Sequence, residues 1–165
     1  MTIKPNSSTG LPQGFQSPFR RVQMQERMDD SLACIATLTG KTLSEISAMA
    51  VQMGLPAHGP CYVDEDLIAK LLMAAGGLTA SKYQDFSKIE LLPDVAILLI
   101  DYNEETELGR HVVWHHVRGT KELPSFHYII DPGHWVDPAD HFTTSVKKFA
   151  IAYFIEVRPK FAGKS

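Results

Sequence analysis

Cys34, His111 and Asp131 follow one another along the chain in the order thiol, imidazole, carboxylate. Nucleophilic catalysis by cysteine uses these three groups: the thiolate attacks a carbonyl carbon, the imidazole moves the proton, and the carboxylate fixes the imidazole's tautomer. A thiol near a helix start sits against the positive end of the helix dipole, which favours the thiolate. Cys34 falls in the first turn, or just beyond it, of a helix expected over Ser31 to Thr39. Upstream lie Gln25 and Gln23, either of which offers a side-chain amide for an oxyanion. The plain alternative for Cys34 is a small buried helix residue, since free cysteine is among the most buried types.

The elements that would bring these groups together can be read from periodicity. Residues 111–117 and 125–131 read as two strands joined by a loop containing Gly119 and Pro124. Pairing symmetric about that loop sets His111 opposite Asp131 and His115 opposite His127, with opposed Cβ atoms ~5 Å apart. A slip of one residue would send a side chain to the other face. An opposed His115 and His127, with a nearby carboxylate, is also a metal-binding alternative in a chain with seven histidines. No HExxH or tight Cys/His spacing accompanies it, so neither cofactor nor metal is assigned. Cys61, in His58-Gly-Pro-Cys61, reads as a loop or core thiol, with a second candidate nucleophile or part of a site rim as the alternatives.

Ahead of the hairpin the period is helical. Asp29 and Asp30 offer capping oxygens to the first helix, and Gly40 stops it. Thr42 with Glu45 is a capping-box pattern, opening a second helix that runs to Met53 before Gly54. A third opens near Asp64, carries an apolar stripe at Leu67, Ile68, Leu71 and Leu72, and ends at Gly76-Gly77. Val95 to Tyr102 is a central strand, 103–110 a polar turn, and Ala150 to Val157 a last strand, preceded by a short helix or turn over 144–149. Helices followed by antiparallel strands make an α+β domain.

The 165 residues suit one core, with 44% hydrophobic and 21% charged residues and a net charge of −3. That balance gives no nucleic-acid footprint and no polybasic membrane patch. The longest apolar run, Val95 to Ile100, is strand-sized and far short of the ~20 residues that cross a bilayer. Residues 1–20, rich in Ser, Thr, Pro, Gly and Gln, read as a flexible arm, 21–160 as the domain and 161–165 as a tail. Without a secretory signal pattern, a cytoplasmic chain with free thiols is expected. A Ser/Thr/Pro-rich start is also found in effectors exported by specialised secretion systems.

The stretch from Gln25 through Asp29-Asp30-Ser31-Leu32-Ala33-Cys34-Ile35-Ala36 to Gly40 resembles the opening of the bacteriocin-processing, double-glycine cysteine peptidases of bacterial exporters. That opening is Gln, then Asp-Cys-Gly-x-Ala-Cys-Leu-Ala, and on to a Gly. Gly109-Arg-His-Val-Val is similar to the family's His-Phe-Val-Val strand, Ile129-Ile-Asp-Pro to its Asp-Pro, and 149–157 to its last strand. The likeness spans about residues 23 to 157 and implies a papain-like fold in a bacterial protein. Aligned without gaps on Ala33-Cys34, the family's nucleophile falls on Asp30, and Cys34 matches its second, non-catalytic cysteine. Ala33-Cys34-Ile35-Ala36 also resembles the Ser-Cys-Trp-Ala of papain, and in that register Cys34 itself is the nucleophile.

Two function classes follow, besides the metal-binding alternative. The first is a papain-like cysteine hydrolase (peptidase, amidase or protein deamidase). Cys34 would attack, His111 would move the proton, Asp131 would orient it, and Gln25 or Gln23 would hold the oxyanion. The second is a catalytically inactive relative that binds a peptide or protein partner in the same groove, with Asp30 in the nucleophile's place.

Overall fold

The structure is a computed structural model that describes residues 11–26, 28–58 and 62–160. Three α-helices among these residues come first: α1 (Asp30–Thr39), α2 (Leu43–Gln52) and α3 (Glu65–Gly76). Helix α1 is buried on nearly every face, from Asp30 to Leu38, because it lies between α2, α3 and strand β4 (Leu108–Val117). Its apolar and small residues suit that central place. Helix α2 begins with the expected capping box: Glu45 N–H donates to Thr42 Oγ1 (3.1 Å) and Thr42 N–H to Glu45 Oε1 (2.9 Å). Asp64 caps α3 by accepting from Leu67 N–H at 2.9 Å, and Gly77 closes it in the left-handed conformation (φ 65°).

The strands are β1 (Leu78–Ala80), β2 (Gln84–Asp85), β3 (Val95–Asn103), β4, β5 (Phe126–Ile130), β6 (Phe142–Thr143) and β7 (Ile151–Pro159). They form one antiparallel sheet in the order β1-β7-β3-β4-β5-β6, with β2 also paired to β7. Ile97, Val113, Tyr128, Ile130 and Ile155 face the helices and share their core. The opposite face carries a second core around Leu98, Val112, Trp114 and Ile129, covered by Val146 and Phe149. Burial on both faces explains why β3 reads as an unbroken apolar run.

The β4–β5 register differs from the symmetric pairing by one residue. Val113 lies opposite Ile130, His115 opposite Tyr128 and His116 opposite His127. Phe126, Tyr128 and Ile130 thereby share the helix-facing side with Val113. His111 stays on that side, whereas the alternation puts Asp131 on the other, with Arg110 and Val112.

The arm expected over residues 1–20 is seated where it is described. Leu11 is buried, Phe15 meets Phe126 edge-on at 4.9 Å, and Ser17 Oγ lies 2.5 Å from Tyr128 Oη. Arg21 then ties the segment to the sheet by donating to the carbonyls of Asp131 (2.6 Å) and Gly133 (2.8 Å). Residues 1–10 and the tail 161–165 lie outside the described residues.

Candidate functional site

Asp30 opens α1 with its carboxylate turned into the structure, 7% exposed. Its Oδ2 accepts two bonds from His111: the backbone N–H at 2.6 Å, and Nδ1 at 2.7 Å. The other ring nitrogen, Nε2, lies 2.7 Å from the Tyr83 hydroxyl. Tyr83 stands between β1 and β2. Burial, followed by the neighbouring Tyr62, Glu65, Asp30 and Cys34 groups, raises its pKa and keeps the phenol protonated. Nδ1–H donates to the Asp30 carboxylate, and Nε2 shares a hydrogen bond with the Tyr83 hydroxyl. The imidazole is then held at both nitrogens, and neither keeps a free lone pair to accept a proton from a nucleophile.

This Asp30–His111–Tyr83 line forms one wall of a cleft of about 480 Å³. Leu99, Tyr102, Glu107 and Tyr153 contribute to the other walls. Two backbone features shape it. A register shift between Ile100 and Asn103, with Asp101 at φ 54°, bulges β3 and brings Tyr102 onto the cleft side with Leu99. Gly109 lets the strands close up beside the site, since a Cβ there would lie 2.7 Å from the Ile100 carbonyl oxygen.

Cys34 lies one helical turn beyond Asp30 and has no exposed surface. Burial raises its pKa well above the usual thiol value; Asp30 and Asp131 add to the rise and Arg110 opposes it. The thiol form is therefore favoured, contrary to the expectation of a thiolate at the helix start. Four residues into α1, the side chain points to the core rather than to the free end of the dipole.

Asp131 does not meet His111. It is 3% exposed and forms a two-pronged pair with Arg110, Oδ1 to Nη1 at 2.6 Å and Oδ2 to Nη2 at 3.0 Å. Its Oδ1 also accepts from Gly133 N–H at 3.0 Å. The cause is the register: on the face away from the helices, the nearest cation is Arg110. Arg110 in turn lies 5.2 Å from the Trp135 ring centre.

Gln25 lines a neighbouring groove with Met28, Asp29 and Leu32, rather than the His111 cleft, and its backbone N–H donates to Asp29 Oδ2 at 3.1 Å. Gln23 Oε1 accepts from Arg21 Nη1 at 3.1 Å. Cys61 lies outside the described residues. The opposed histidines are His116 and His127, 6.2 Å apart, while His115 Nδ1 bonds the Tyr128 hydroxyl at 2.8 Å. Among the described residues, no group of three or more His, Cys, Asp or Glu side chains is placed to hold a metal ion, and no helix is long and apolar enough to cross a membrane.

Of the expected catalytic set, the structure thus leaves His111 at the cleft and gives it other partners. Sequence reading missed Tyr83 and weighed Asp30 either as a cap or as the residue in the nucleophile's place. The signal for Asp30 was its position in the ungapped alignment, where a carboxylate stood at the site of chemistry. Tyr83 gave no local signal, because its role depends on β2 docking against β7.

No protein-family model and no curated protein matches the chain. Among solved structures, it is similar to a double glycine motif protease from an AMS/PCAT transporter in complex with the leader peptide. The TM-score is 0.53 at 13% identity, covering 89% of this chain and 96% of that one. With the order of helices and antiparallel strands, this likeness establishes an α+β, papain-like peptidase fold.

Proposed function

We propose that the domain binds an extended peptide or protein segment in the cleft before His111 and does not cleave it through a cysteine thiolate. The observation that carries this reading is the Asp30 carboxylate at the start of α1, 2.7 Å from His111 Nδ1. The resemblance puts the family's nucleophile at Asp30. A carboxylate there, bonded to the imidazole, replaces a nucleophile–base pair with a closed structural contact. The buried Cys34, with its raised pKa, supports the same conclusion. That the solved neighbour was captured with a leader peptide makes a peptide the natural ligand class for a cleft on this fold.

Thiol labelling tests the reading. Native protein treated with iodoacetamide near neutral pH should leave Cys34 unmodified, as read by peptide mapping, whereas denatured protein should be alkylated there at once. Rapid native labelling of Cys34 that disappears in a His111→Ala variant would restore the cysteine hydrolase.

A further inference from the structure

The chain has five tyrosines, and four of them, Tyr62, Tyr83, Tyr102 and Tyr153, line the His111 cleft. Tyr102 and Tyr153 meet edge to face at 5.3 Å, and Tyr83 and Tyr153 at 6.3 Å. Aromatic faces carry negative charge and attract cations within about 6 Å. The charged groups point the same way: the lining holds the carboxylates of Asp30 and Glu107, and no Lys or Arg among the described residues. Asp30 is committed to His111. Glu107 sits on the β3–β4 turn at φ 60°, and among the described residues no ion pair engages it. Its field reaches the tyrosines: burial and then Glu107 raise the pKa of Tyr102, and burial with Asp64, Glu65 and Glu107 raises that of Tyr62.

We infer that this cleft takes a cationic side chain, arginine or lysine, of the bound peptide, seated among the tyrosines with Glu107 as its counter-ion. The inference rests on the peptide-binding reading above and names the ligand chemistry of that site. A guanidinium or ammonium there gains ring faces and a carboxylate without displacing an existing cation. An acidic side chain would be buried beside Glu107 and Asp30 and is excluded by charge.

The test uses the full chain against an array of short, end-capped peptides in which one position at a time is fixed as Arg, Lys, Gln, Leu or Glu and the rest are mixed. At one position Arg or Lys should be retained about tenfold better than Gln, and Glu should be rejected. Glu107→Gln should abolish the preference for Arg or Lys over Gln, and Tyr153→Leu should weaken it. Arg preferred over Lys would indicate stacking as the stronger contribution; both variants of the result support the site. Peptide retention with Leu or Glu preferred, or unaffected by Glu107→Gln, overturns the inference and leaves the peptide-binding reading standing. Retention of no peptide at all overturns both.

Discussion

Two buried carboxylates flank strand β4, and they do different work. Asp131 grips Arg110 with both oxygens on the sheet face away from the helices, under the Trp135 ring. Asp30 bonds the next residue, His111, on the opposite face, where the cleft opens. The first pair closes a turn: Asp131 also holds Gly133 N–H, and Arg21 anchors to the same turn. The second forms one wall of the cleft. The alternation of the pleat alone sends adjacent positions on one strand to the Asp131 turn and to the cleft. The comparison teaches that a histidine and an aspartate in the right order do not make a catalytic couple unless they share a face.

The sharpest way to break the comparison is to remove Asp131. Leaving the half-buried Arg110 guanidinium with only the exposed Asp101, 4.0 Å away, should cost about 3 kcal/mol, read as a lowered urea midpoint for Asp131→Ala. The His111 ring should keep its bonding pattern in nitrogen NMR spectra of Asp131→Asn. A His111 tautomer that follows Asp131 would refute the division of roles.

Asp30→Asn is the complementary case. It weakens two bonds to His111, one of them at a buried backbone N–H, and should cost about 2–3 kcal/mol. Here the His111 tautomer signal should change, while the Arg110–Asp131 pair persists. Tyr83→Phe removes a single neutral bond at Nε2 and should cost about 1 kcal/mol in the same denaturation assay.

Acidification probes the rest of the hairpin. Burial, against a smaller raising effect of Asp94, lowers the His115 pKa, and burial with His116 lowers that of His127. Both folded values lie below the unfolded value of about 6.5, so the native state prefers these rings neutral. Their contribution to stability is therefore complete above pH about 6.5 and falls as the pH drops through the folded values. The urea midpoint should decline between pH 7.5 and 5.5, and His115→Gln should flatten that decline. A midpoint that rises on acidification would show the rings charged in the folded state.

Much of the fold was legible in the chain. Thr42 with Glu45, Asp64, and Gly77 mark helix ends through local hydrogen bonds and backbone freedom, and each mark involves only residues within a turn of itself. The unbroken apolar run of β3 and the helices-then-strands order were enough for α+β. Strands β1, β2 and β6, two or three residues long, were too short to show a period and exist only because a longer neighbour pairs with them.

The site divides differently. The sequence by itself determined that His111 lies on a strand near a turn beside Gly109, and that a carboxylate stands at the start of α1, because both follow from local pattern. Only the tertiary structure decided which carboxylate His111 receives. That choice turned on a one-residue register in the β4–β5 hairpin, set by the need to bury Phe126, Tyr128 and Ile130 against the helices. Tyr83, Tyr102 and Tyr153 converge on the cleft for the same kind of reason: a bulge and long-range strand pairing bring together residues that no local signal connects.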